Sequence, residues 1–132
     1  MKHNPPLTPT EISKTSECLH YYYLECFGDP KLKREYSEGE KLRFQQGRDY
    51  ESEVIKAIPK LEKAAWEYPD WKKGYEATMR LLQSGPEWIY QGVLISRGLL
   101  GIPDLLKKVK RPSKLGSYSY MPVDIKGHKT VT

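Results

Sequence analysis

Gly85-Pro86 divides this chain into two stretches with different hydrophobic periods, and that change limits the available folds more than any other feature. Before it, apolar residues recur at helical spacing behind capping residues. After it, aromatic and β-branched residues run in short extended segments. A helical period and a strand period cannot be exchanged, so the order is helices first and an antiparallel three-stranded meander second. That order is an α+β arrangement.

Thr8-Pro9-Thr10-Glu11 has the form of a helix start, with Thr8 as N-cap, Pro9 in the first turn and Glu11 closing a capping box. Ile12, Leu19, Tyr22, Tyr23 and Cys26 follow at near-helical spacing until Gly28-Asp29-Pro30, which predicts a first helix over about 9–27. Ser37-Glu38-Gly39-Glu40 repeats the cap and predicts a second helix over about 38–58, stopping before Pro59. Its apolar stripe is Phe44 (or Leu42), Gly47, Tyr50 (or Glu51), Val54 and Ile58. A glycine inside a helix costs roughly 1 kcal/mol against alanine. Close approach of the helix to a sheet is the expected reason for Gly47, and Glu51 lies one turn further on the same face. A short helix is expected around Leu61–Trp66, and a third over about 71–84, capped by Asp70 and closed by Gly85-Pro86.

Beyond the break, Trp88–Ile95 reads as a strand, Ser96-Arg97-Gly98 as a compact turn, Leu99–Leu106 as a second strand and Tyr118–Lys126 as a third. In the third, alternation sends Met121, Val123 and Ile125 to a core-like face and Tyr120, Asp124 and Lys126 to the other. Pro103 cannot donate to a ladder, so a bulge or edge is expected there, re-aiming Asp104 toward Asp124. Two converging carboxylates raise one pKa unless a cation lies between them. Mg²⁺ suits them, because it takes oxygen ligands and keeps several waters, and the backbone carbonyl of Ile125 is a further oxygen. Lys126 cannot ligate a metal while charged; its expected role is to orient or help deprotonate a water, or to stabilise phosphoryl oxygens. A lone D-x-K is more often an exposed ion pair, so its weight comes from context.

With 132 residues the chain has room for one domain, helical through residue 86 and β from 87 onward. Ten Tyr and three Trp supply the large apolar surfaces that a low mean hydropathy otherwise withholds. No run approaches the roughly 18 apolar residues of a membrane span, and Met1–Pro6 lacks a signal-peptide core, so a cytoplasmic location is expected. The net charge is +5, and residues 107–114 concentrate cations: Lys107, Lys108, Lys110, Arg111 and Lys114, with no anion. Such a run is either a phosphate footprint for DNA or a solvated connection. Cys18 and Cys26 are poor candidates for a disulfide and read as buried small hydrophobes. His20 and His128 read as surface residues.

The segments S-E-C-L-H-Y-Y-Y-L-E-C-F-G-D-P (16–30), G-R-D-Y-E (47–51), Y-Q-G-V-L-I (90–95), G-I-P-D-L-L (101–106) and G-S-Y-S-Y-M-P-V-D-I-K (116–126), in this order, resemble the PD-(D/E)XK nuclease superfamily. Within it they are most similar to the RecB-like and CRISPR-associated exonuclease branch. The resemblance implies Mg²⁺ or Mn²⁺ at Asp104 and Asp124, a catalytic Lys126, and Glu51 as the acid of the first-motif helix. Tyr50 stands where that branch usually carries a histidine. Cys18 matches the first iron–sulfur ligand of some members, whose other cysteines lie near the C-terminus. This chain has none there, so a cluster is expected only in a longer parent. The implied fold is a restriction-endonuclease-like α/β/α core, in which a helix and a strand follow D-x-K. The sequence instead continues only to Lys129-Thr130-Val131-Thr132. The expectation is therefore the N-terminal part of a DNA nuclease, inactive alone, whose parent acts with a helicase or repair partner. The competing readings are a non-catalytic nucleic-acid-binding module and a protein-interaction domain that keeps the nuclease fold.

Overall fold

The computed structural model describes residues 6–127. The fold is mixed α+β, with four α-helices and two sheets among the described residues. The helices are α1 (Pro9–Glu17), α2 (Leu19–Phe27), α3 (Glu38–Ala57) and α4 (Trp71–Ser84). The strands are β1 (Leu61–Lys63), β2 (Trp88–Tyr90), β3 (Leu94–Ser96), β4 (Leu99–Gly101), β5 (Leu105–Val109) and β6 (Ser119–Val123). None of the described helices is long and apolar enough to cross a membrane.

The predicted caps form as their chemistry requires. Thr8 and Ser37 each make a complete capping box, with Glu11 and Glu40 respectively. The Asp70 side chain accepts from the Lys73 N–H, and Gly85 ends α4 in the left-handed region at φ 77°.

Several expectations are corrected. The continuous helix over 9–27 is broken at Cys18, whose extended backbone (φ −160°, ψ 114°) ends α1 and begins α2. The two short helices fold against each other, and Glu25 on α2 reaches Lys14 on α1 at 2.8 Å and Lys33 at 2.7 Å. Both cysteines are exposed rather than buried. His20 is exposed, as expected, while His128 lies outside the described residues.

The helix expected around 61–66 is instead strand β1, which pairs in parallel with β2 through Leu61↔Trp88 and Lys63↔Tyr90. Lys60, at φ 54°, turns the chain into it. The helical part therefore contributes a strand, and α4 is the crossover that a parallel pair requires.

The three-stranded meander is replaced by a mixed four-stranded sheet of order β1-β2-β5-β6 and a separate β3–β4 hairpin. Two predicted strands split because Gln91, at φ 47°, turns the first and Ile102-Pro103 interrupts the second. Arg97 (φ 49°) and Gly98 (φ 78°) form the tight hairpin turn. Leu7 hydrogen-bonds along β4, through Gly98 O at 2.9 Å and Leu100 N at 2.8 Å, and so ties the N-terminal segment to the hairpin. β6 is an edge strand, but its faces are not those predicted: Tyr120 packs toward the core and Met121 is 49% exposed.

The α3 stripe is corrected too. Leu42, Phe44 and Tyr50 are exposed, and a Cβ on Gly47 would meet nothing within 4 Å. The close approach occurs on α4 instead, where a Cβ on Gly74 would lie 2.6 Å from Val93 Cγ2 and 2.7 Å from the Trp66 ring.

Leu82 of α4, Ile89 of β2 and Leu106 of β5 form the buried centre. The pairing Ile89↔Leu106 puts both strand residues on the sheet face that α4 covers. Each such side chain contributes about 1.5–3 kcal/mol by burial. The end of α4 is fastened to the far strands. Tyr118 Oη donates to Leu82 O (2.8 Å), Tyr120 Oη donates to Pro86 O (2.6 Å) and Lys108 Nζ donates to Gly85 O (3.0 Å).

Candidate functional site

Leu105↔Val123 is the last rung of the β5–β6 ladder, so Asp104 and Asp124 flank it directly, one entering β5 and one leaving β6. Pairing thus brings together two carboxylates twenty residues apart in sequence. The Ile125 N–H donates to Asp104 Oδ2 at 2.7 Å and locks the chain after β6 against the start of β5. Ile125, expected to offer its carbonyl, meets the site through this N–H. Lys126 Nζ lies 3.0 Å from Asp124 Oδ2, and both side chains are largely exposed.

Burial raises the Asp104 carboxyl above its ordinary value. The Ile125 N–H opposes that rise, while Asp124 and Glu51 add to it. Asp124 is held below its ordinary value, first by a hydrogen bond from Asp104 and then by Lys126. The opposite directions of the two shifts are the electrostatic outcome of bringing two carboxyls together with too little positive charge. The Lys126 ammonium is raised by its bond to Asp124, which keeps it charged and suits it to stabilising anionic oxygens rather than accepting a proton.

Glu51 comes from the C-terminal half of α3, where Val54 and Ile58 are half-buried while the first half of the helix stands clear. Its Oε1 accepts from Tyr90 Oη at 2.8 Å and from Gln91 Nε2 at 3.3 Å. Burial, then Glu51, pushes the Tyr90 hydroxyl up to about 12, so it stays a donor. Gln91 also donates its backbone N–H to Asp104 O at 3.0 Å. The sequence reads Tyr90 and Gln91 only as the middle of a strand; nothing in their spacing marks them as partners of Glu51. Tyr50 faces Gly127, whose Cβ position lies 3.6 Å from its ring, and is otherwise exposed.

The donor chemistry fits a hard divalent cation: carboxylate oxygens, one pair of them short of positive charge. Asp104 and Asp124 would hold it, with Glu51 as the third acid. As the side chains stand, no three His, Cys, Asp or Glu among the described residues gather closely enough to form a metal cage. Cys18 sits exposed at the α1–α2 junction.

The predicted DNA-binding cations separate into three groups. Lys107 is exposed on one face of β5, with its ammonium 5.2 Å from the Trp88 ring centroid. Lys108 faces the other side and is engaged by Gly85 O and by the Tyr118 ring at 4.5 Å. Lys110, Arg111 and Lys114 are exposed at the β5–β6 tip. Asp104 precedes β5 (Leu105–Val109) and Lys110 follows it, so at about 3.4 Å per step the tip cations begin roughly 20 Å from the carboxylates. The cationic run joins the two acid-bearing strands in sequence but lies at the opposite end of their hairpin.

Comparison with protein-family models, curated proteins and solved structures finds no match.

Proposed function

We propose that this chain carries the active-site strands of a metal-dependent deoxyribonuclease of RecB-like type, built on a restriction-endonuclease-like core and acting in the cytoplasm. The observation that carries the reading is the placement of Asp104 and Asp124 on either side of the last β5–β6 rung, with Lys126 beside them. An ornamental D-x-K pair would have no second buried-side carboxyl sharing its charge. Glu51 adds a third acid from a separate helix.

Asp104, Asp124 and Glu51 would hold Mg²⁺ or Mn²⁺, which when bound supplies Lewis acidity and an acidified water. Asp104 is fixed by the Ile125 N–H, so its free oxygen keeps a constant direction. The Lys126 ammonium has to leave Asp124 to reach a phosphoryl oxygen, and its exposure permits that swing. In this reading the tip cations would hold the nucleic-acid backbone away from the reacting phosphate. A helicase or repair partner, and an iron–sulfur cluster using Cys18, belong to this proposal only for a longer parent protein.

One observation favours a second reading, a non-catalytic DNA-binding module: Lys126 already neutralises Asp124, and the three acids do not yet form a cage. Labelled DNA incubated with Mg²⁺ or Mn²⁺ separates the two. The nuclease reading expects metal-dependent cleavage by the longer parent protein that is lost in Asp124→Asn and in Lys126→Ala. Cleavage undiminished in both variants rejects it. Metal-independent DNA binding without cleavage supports the binding module.

A further inference from the structure

Three of the four groups at the site are placed by the β5–β6 hairpin, but Glu51 is not. It comes from a helix whose N-terminal half touches little, so its position depends on what grips the side chain itself. That grip is local to the end of β2. Tyr90 Oη and Gln91 Nε2 both donate to the same oxygen, Glu51 Oε1. The other oxygen, Oε2, accepts no hydrogen bond from a described residue. Gln91 holds both sides at once, because its backbone N–H donates to Asp104 O while its amide reaches Glu51. It does so at φ 47°, a left-handed conformation that side-chain-bearing residues other than Asn and Asp seldom adopt. A glycine would sit there more easily, and Gly92 follows immediately. Outliers of this kind persist where the surroundings over-determine them, and they concentrate at functional sites.

We infer that Tyr90 and Gln91 are positioning residues that clip Glu51 of α3 to the Asp104 end of the hairpin, leaving its second oxygen free for a divalent cation. This rests on the metal-dependent reading above. Tyr90 aims the carboxylate. Gln91 fixes the distance between helix and hairpin. Partners of metal-binding side chains typically change metal affinity about 10- to 100-fold when removed.

The test is Mn²⁺ binding to the whole chain, followed by electron paramagnetic resonance of the free ion, alongside melting temperatures. Tyr90→Phe keeps the ring and removes the donor, and it is expected to weaken Mn²⁺ binding about tenfold. Gln91→Gly deletes the amide but relieves the positive φ, so binding weakens while the melting temperature does not fall. A purely structural role would move both together. Adding Tyr90→Phe to Glu51→Gln causes no further loss if the tyrosine acts through Glu51. The inference is overturned if binding depends on Asp104 and Asp124 yet ignores Tyr90→Phe. An equal loss from Tyr90→Phe with and without Glu51 also overturns it. Those outcomes leave the metal site intact. Mn²⁺ binding that is absent from the wild-type chain, or indifferent to Asp104→Asn and Asp124→Asn, removes the metal site and this inference with it.

Discussion

A methyl group added at Gly74 falls inside the van der Waals envelope of both Val93 and the Trp66 ring, so one of the two elements packed on α4 has to move. Gly74→Ala is expected to destabilise by about 1–3 kcal/mol, the usual cost of overpacking. Gly47→Ala has the opposite sign. Its Cβ enters open space in a helix interior, and alanine stabilises by about 0.5–1 kcal/mol. Thermal melts of the two variants check both signs. Thr78 is the complementary case. Fully buried, it donates to Gly74 O at 2.7 Å and accepts the Val93 N–H at 2.9 Å. Thr78→Val keeps the shape but leaves that N–H buried without a partner, at a cost of about 1–3 kcal/mol in denaturant unfolding. Sequence pointed to the wrong glycine for a physical reason. Propensity reports that a helical glycine is costly, but not which face has a neighbour. Only the approach of Trp66 and Val93, from segments outside every helix and strand, distinguishes Gly74 from Gly47.

Helix ends were legible where every participant lies within one turn. The Thr8–Glu11 and Ser37–Glu40 boxes need only local chain geometry, and both form. What extends beyond the turn was not legible. Arg34, outside α3, donates to both Glu40 oxygens at 2.9 Å, and with Ser37 it lowers the Glu40 carboxyl to about 2. Because this folded value is depressed from 4.5, the contribution is fully present above the ordinary carboxylate range and is lost as pH falls through about 2. An NMR titration of the Glu40 side chain should show that midpoint, and Arg34→Ala should move it upward. A midpoint unchanged by Arg34→Ala would show that Ser37 alone holds the carboxylate. β1 was illegible for a related reason. Leu61–Lys63 is too short for a period to show, and it is a strand only because Trp88–Tyr90 lies beside it.

Across the whole molecule, the β5–β6 hairpin separates two sets of charges that the sequence runs together, carboxylates at one end and cations at the other. Asp104 and Asp124 were legible as a pair from the short P-D and D-x-K segments alone, although the faces predicted for the third strand are reversed. The cations of 107–114 were legible only as charge, since their division depends on which face each strand residue takes and where the turn falls. Lys108 is spent on the α4 terminus, where a cation and a donor satisfy the last carbonyls. Lys108→Met is therefore expected to lower the melting temperature and to change DNA affinity little. Lys110, Arg111 and Lys114 extend from the tip with no ion-pair partner among the described residues. Replacing all three with alanine should weaken duplex DNA binding and flatten the dependence of log affinity on log salt by about 0.9 for each phosphate released. Because the tip cations begin roughly 20 Å from the carboxylates, the same variant should bind Mn²⁺ as the wild type does. A salt slope unchanged by the triple substitution would place the phosphate contacts elsewhere, and a parallel loss of Mn²⁺ binding would show that tip and carboxylates are not independent ends of one hairpin.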